Sequence, residues 1–413
     1  MELPRPSSLA AHWMHDPSVV YLNHGSFGGM PREVHHAQVA LQQRLEAEPV
    51  KFFVEDIWPL MDETRKALAS FLHCEWTGLT PVTNATYGVA TVLDSLVESG
   101  FLTRGTSVLT NNHEYPACQN NLRRAAKRGG FDIIPAEIPF PLEHEDELVA
   151  AIVGAVTPTT RLALISHVTS PTGLVLPMNR IVRELEARNV RTLIDGAHAP
   201  GMVADLNLRA MNPSYYTANC HKWFCTPKGS AFLYVRDDLR REVHPVVLSN
   251  NAEKPRVGRD QFFTEFDFVG TSDPTPFLTI PFALRFMPGL VEGGWPEIMR
   301  RNRAMTLAAR DMLCREIGMT PPAPDSMIGS ICTMILPPHD AALHARLMQR
   351  PSKQHDALWD ALNVKHRIQV PVWGLAGKPE RFLRIACQVY NTMEQYEYLA
   401  RAVNAELEAE RLF

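Results

Sequence analysis

Two hydrophobic periods alternate through the middle of the chain, and this restricts the fold more than any other feature. Short β-branched or apolar runs recur at Thr106–Thr110, Phe131–Ile134, Arg161–His167, Val190–Ile194, Tyr215–Ala218 and Ala231–Val235. Between several of them, apolar residues fall near i, i+3 and i+4, at Ala117–Arg128, Glu145–Val153 and Met178–Arg188. Parallel strands need a long crossover, and a helix supplies it. The pattern therefore predicts an α/β fold, a mostly parallel sheet covered by helices on both faces. The run Phe232–Val235 follows Pro227 and Gly229 too closely for a crossover helix, so an antiparallel strand is expected there.

From about Pro281 the pattern changes. A long helical stretch at Trp295–Ile317 leads to Pro321, Pro322 and Pro324, then to strand-like pieces at Ser330–Ile335, Arg367–Val372 and Phe382–Ala386. Thr392–Leu412 reads as a terminal amphipathic helix, with Thr392 and Gln395 in capping-box spacing. At 413 residues the chain exceeds what one core usually serves. The expected organisation is a large domain over 16–280 and a smaller α+β domain over 281–413. The N-terminal arm, 1–15, is expected to pack near the smaller domain.

Charge excludes some partners. The formal net charge is -4 and no run of like charge stands out, so neither nucleic acid nor a membrane surface is indicated. No window approaches the ~20 apolar residues of a membrane span. Met1–His15 carries Glu2, Arg5 and His12 and does not read as a secretory signal. Seven scattered cysteines fit reduced thiols in a cytoplasmic setting. Cys220 and Cys225 have neither CxxC spacing nor a second pair, so zinc is not indicated.

Two segments carry the strongest chemical signal: Leu193-Ile-Asp-Gly-Ala-His-Ala-Pro-Gly201 and Asn219-Cys-His-Lys-Trp-Phe-Cys-Thr-Pro-Lys-Gly229. In the first, a buried strand ends in Asp195 at the edge where α/β sheets bind ligands. A carboxylate there needs a cation or strong donors; the plain alternative is a turn cap. In the second, Lys222 follows a strand to the same edge, where desolvation would make it an amine nucleophile. Its plain alternative is a solvated side chain. Lys228 is the rival lysine, but Pro227 and Gly229 place it in a turn. No Gly-x-Gly-x-x-Gly and no Gly-rich Lys-Ser/Thr loop follows a strand, which removes the usual support for a nucleotide.

Taken together, Asp195-Gly-Ala-His198 and His221-Lys222-Trp223 resemble the class V aminotransferase family, pyridoxal 5′-phosphate enzymes of fold type I. Thr83-Asn-Ala-Thr86, His167-Val-Thr-Ser-Pro-Thr-Gly173, Gly270-Thr271 and Arg384-Ile-Ala-Cys-Gln-Val-Tyr-Asn-Thr392 follow in the expected order, so the resemblance covers nearly the whole chain. Tyr21-Leu-Asn-His-Gly-Ser-Phe-Gly28, His113-Glu-Tyr-Pro116 and Asn219–Trp223 resemble the isopenicillin N epimerase-like branch most.

The resemblance implies roles. Lys222 would hold the cofactor as a Schiff base and shuttle the α-proton. Asp195 would pair with the pyridine nitrogen, keeping the ring an electron sink. His198, and with it Ser170, would reach the phenolic oxygen. Ala85 and Thr86 at a helix start, with His221, would hold the phosphate, and Thr271 would reach the partner subunit's phosphate in a homodimer. Tyr115 would stack on the ring, and Arg384 would clamp the carboxylate of an amino-acid substrate.

Cysteine desulfurases carry a nucleophilic cysteine on the loop before that arginine. Val364–Gly374 has none here, and Cys387 lies in a probable strand, so persulfide transfer is disfavoured. The expected reaction is epimerisation or racemisation. Alternatives are carbon–sulfur β-elimination of the hercynylcysteine sulfoxide lyase kind, and transamination. A binding protein without catalysis is the contrasting class.

Overall fold

The computed structural model describes residues 3–412 apart from 255, 355 and 375–379. Its largest sheet has seven strands, in the spatial order Leu79–Val82, Ala231–Val235, Tyr215–Asn219, Arg191–Asp195, Thr160–Ser166, Ser107–Asn111 and Asp132–Ala136. Only Ala231–Val235 opposes its neighbours. The remaining pairs are parallel, with helices Pro116–Gly129, Glu145–Gly154 and Met178–Glu186 between successive strands. The α/β fold class read from the periodicity is the one observed.

Both faces of this sheet are buried. Ile165, Ile194 and Tyr216 belong to one hydrophobic cluster, and their chain neighbours Leu164, Leu193 and Tyr215 to the other. Alternate residues point to opposite faces. A strand covered on both sides is therefore apolar along most of its length, which makes these runs legible as strands.

The edge strand Leu79–Val82 carried no comparable signal. It is short and contains Pro81, tolerated because it lies at the sheet edge. It delivers the chain to the helix Ala85–Glu98. There Asn84 caps the Tyr87 N–H at 2.9 Å, and the Asn219 side chain accepts from the Ala85 N–H at 2.8 Å. Gly88 lets this helix close on the sheet: a Cβ there would lie 2.1 Å from Thr217 Oγ1.

The later part of the chain builds a three-stranded antiparallel sheet, Val372–Gly374, Arg381–Ala386 and Ile331–Ile335, beside helices Gly294–Ile317 and Met393–Arg411. Thr392 and Gln395 do form the capping box. Arg381 ties this sheet to the last helix through a forked bond to Glu410, and to the start of helix Ala357–His366 through one to Asp356. The single strand expected at Arg367–Val372 is instead two. Ile368–Gln369 pairs in parallel with Val20–Tyr21, and the chain turns through Val370 and Pro371 before Val372–Gly374 joins the other sheet. Pro371 has no N–H for a continuous ladder, and its carbonyl accepts from Arg384. Nearby, the N-terminal arm lies along the segment before the last helix, with Ser7 N–H donating to the Tyr390 carbonyl. No helix among the described residues is long and apolar enough to cross a membrane.

Candidate active site

Chain order and spatial order reverse between Thr160–Ser166 and Ser107–Asn111, so a crevice opens past the carboxyl ends of these strands. Asn111, Ser166, Asp195 and Asn219 end four of the parallel strands along this edge. Asp195 sits in register with Ser166 on one side and Thr217 on the other. Its side chain is buried, Oδ1 accepting from the Ala197 N–H at 2.9 Å and Oδ2 from the Cys118 thiol at 3.2 Å. Burial raises its pKa, opposed by those donors and by Lys222.

Lys222 arrives one turn past the neighbouring strand. Its loop is fixed from behind, because the His24 ring meets the Lys222 carbonyl at 3.0 Å and Gly28 presses against the same segment. A Cβ on Gly28, whose φ is +68°, would lie 2.0 Å from the His221 carbonyl oxygen. Lys222 is 9% exposed, and its amine stands 2.9 Å from His198 Nε2. Burial lowers its pKa to about 7, with Asp195 opposing and Arg384 reinforcing the shift. The solvated alternative for Lys222 is therefore excluded. Lys228 lies in the expected turn, exposed, and donates to the Gly28 carbonyl.

Arg384 faces the same pocket from the small sheet. One nitrogen donates to the Ser170 carbonyl at 2.6 Å and lies 3.4 Å from Ser170 Oγ, and another donates to Ser26 Oγ at 2.8 Å. Ser170 thus supports the guanidinium in this structure. Ser26 was not singled out from sequence, and its only cue was its place in the Tyr21–Gly28 motif. Tyr115 precedes helix Pro116–Gly129 and is 41% exposed. Burial raises its pKa, Cys118 and Asp195 add to that shift, and Arg384 opposes it.

The expected phosphate donors divide. The Ala85 N–H is already committed to Asn219, leaving the Thr86 N–H and hydroxyl at this helix start. His221 points Nδ1 at the Ser230 carbonyl, 3.2 Å away, so a neutral ring offers Nε2 only as an acceptor. Donation from Nε2 requires the doubly protonated ring. Burial opposes that by lowering the pKa to about 4, whereas a nearby phosphate dianion favours it. Thr271 is exposed on the loop after helix Gln261–Asp267, and among the described residues no hydrogen bond joins it to this cluster.

The chemistry of the site suits a polar ligand. His198 Nδ1, Arg384 Nε and Glu114 Oε2 are buried without hydrogen-bond partners, around a desolvated amine and a carboxylate. Such groups are expensive unless something meets them.

Residues 29–345 match the aminotransferase class-V family model. The chain belongs to the class V aminotransferase family. It is a pyridoxal-phosphate-dependent enzyme, and its large and small sheets form the fold type I architecture. It is 34% identical to isopenicillin N epimerase of Amycolatopsis lactamdurans over 400 residues, 94% of this chain and 95% of that one. It is 29% identical to a probable chloroplastic L-cysteine desulfhydrase of Arabidopsis thaliana, over 94% and 83% of the two chains. Among solved structures it resembles a C-DES mutant with glycine covalently linked to the PLP cofactor. The TM-score is 0.75 and identity 22%, over 94% of this chain and 96% of that one.

Proposed function

We propose that this enzyme is an amino-acid epimerase of the isopenicillin N epimerase kind, with Lys222 as the base that removes the α-proton. One observation carries the reading: a buried amine with a pKa near neutrality shares a pocket with an arginine whose fork is already oriented. Bound pyridoxal phosphate supplies an electron sink for the substrate's α-carbon. Asp195 holds a negative charge opposite the ring nitrogen, and Lys222 is the attachment residue. His198 keeps a ring N–H free for the phenolic oxygen whenever its Nε2 accepts from Lys222. Thr86 and His221 hold the phosphate. Arg384 binds the substrate carboxylate, which fixes the α-carbon relative to the Lys222 amine.

Inversion needs a second proton donor on the face opposite Lys222. Tyr115 supplies a hydroxyl at the mouth of the pocket, and the likeness to isopenicillin N epimerase spans nearly the whole chain. A carbon–sulfur β-lyase is the second reading, supported by the cysteine desulfhydrase relative. It requires only Lys222 and a leaving group on the β-carbon. We also infer a homodimer in which Thr271 serves the partner's phosphate, and a cytoplasmic setting that suits seven unpaired cysteines.

Amino acids and cysteine conjugates incubated in deuterated water separate the readings. The expected product is the opposite enantiomer carrying deuterium at the α-carbon, without keto acid or ammonia. Stoichiometric ammonia and pyruvate from a cysteine conjugate, without inversion, would decide for the lyase. An accumulating keto acid with the amino group retained on the cofactor would decide for transamination.

A further inference from the structure

Glu114 has no part in the reading above, yet it is buried in the floor of the same crevice. Its Oε1 accepts from Ser166 Oγ at 2.7 Å and from the Tyr115 N–H at 2.9 Å, while Oε2 has no partner. One carboxyl oxygen of Glu114, one of Asp195 and the Cys118 sulfur all lie within 4.8 Å of one another. Among the described residues, the titratable groups near Glu114 include Asp195 on its strand, Cys118 on the following helix, Tyr115 and the buried His113 alongside in the chain, with Lys222 beyond Asp195. The charge that acts on Glu114 is that of Asp195, which has the same sign. Two carboxylates this close in a dry site do not both ionise.

We propose that Glu114 keeps its proton and acts as a positioning residue for Asp195, so that the pair carries one negative charge, held on Asp195. The division follows from their surroundings. Asp195 has Lys222 within electrostatic range and accepts from a backbone N–H and a thiol. The Ser166 hydroxyl and the Tyr115 N–H both donate to Glu114 Oε1, so its proton belongs on Oε2. Burial and the charge of Asp195 both push the Glu114 pKa up, which agrees with this placement. A neutral acid behind Asp195 packs the crevice floor without a second buried charge. This role rests on Asp195 being the residue opposite the ring nitrogen.

Infrared difference spectra between about pH 6 and about pH 9, on the apoenzyme and the holoenzyme, test the proton directly. The wild type is expected to show the carbonyl stretch of a neutral carboxylic acid at the lower pH and lose it at the higher. Glu114→Gln should lack that band. Asp195→Asn should keep it with a lower midpoint, because the like charge is gone. Cofactor affinity is the second readout. Near pH 7, Glu114→Gln should bind pyridoxal phosphate within about threefold of the wild type, because an amide reproduces a neutral acid.

A loss of about tenfold or more by a Glu114→Gln protein that melts like the wild type would mean that Glu114 works as an anion, and the proposal fails. If Glu114→Gln does not fold, the wild-type spectrum still decides, since absence of the acid band at the lower pH overturns the idea. A present band, with cofactor affinity untouched by Asp195→Asn, overturns the positioning role through the ring-nitrogen reading instead.

Discussion

The ε-amine of Lys222 stands 2.9 Å from Nε2 of His198, and burial holds both groups in less charged forms than water would. A nucleophilic amine and a neutral imidazole are therefore available together before any ligand arrives.

The first prediction concerns Lys222. Borohydride reduction of the holoenzyme should fix the cofactor on the peptide carrying Lys222, and Lys222→Met should abolish the adduct. Trapping on Lys228 would refute the assignment. In the apoenzyme the depressed pKa also has a stability consequence. Between about 7 and the ordinary 10.5, the unfolded chain binds a proton that the folded chain does not, so stability rises with pH there. Lys222→Met should stabilise the apoenzyme by on the order of a few kcal/mol below pH 7, an advantage fading as pH approaches about 10.5. Denaturant melts at several pH values check it.

Asp195→Asn should leave a folded protein that still takes up cofactor. Loss of one charge-assisted bond of about 3 kcal/mol slows α-proton exchange roughly 10²-fold. Exchange within twofold of the wild type would make Asp195 a turn residue only.

Arg384 and Ser26 should separate in kinetics. Arg384→Ala removes the carboxylate clamp and should lower kcat/KM by roughly 10²-fold or more. Ser26→Ala keeps the guanidinium but loses one of its holders, so KM should rise about fivefold for a bond of ~1 kcal/mol. Cofactor affinity should be unchanged in both. Equal loss of cofactor binding would show a general collapse of the pocket.

Thr271 tests the shared site. Mixing an inactive Lys222 variant with an inactive Thr271 variant should restore part of the activity, since one site of a heterodimer is then intact. No recovery after demonstrated subunit exchange would place Thr271 outside the phosphate site.

The parts legible in sequence were those fixed by short-range physics. The doubly buried strands announced themselves by continuous apolar runs, Thr392 and Gln395 by their spacing, and Lys222 and Asp195 by following strands to one edge. The parts not legible depend on distant partners. Pro81 hid an edge strand, and Pro371 split a run that looked continuous. Glu114 carries no local sign of being buried beside Asp195. That the Ala85 N–H is already taken became visible only once Asn219 was placed beside it.

The bond between Ser26 and Arg384 joins residues 358 positions apart, and this has a consequence for biosynthesis. At roughly 5–20 residues per second, the ribosome makes the holder some tens of seconds before the group it holds. The seven strands of the large sheet and Lys222 are all encoded before residue 236. The ribosome has thus made every strand of the sheet and Lys222 well before it makes Arg384. On the proposed role of Arg384, the part of the chain that would select the substrate is made after the part that would attach the cofactor.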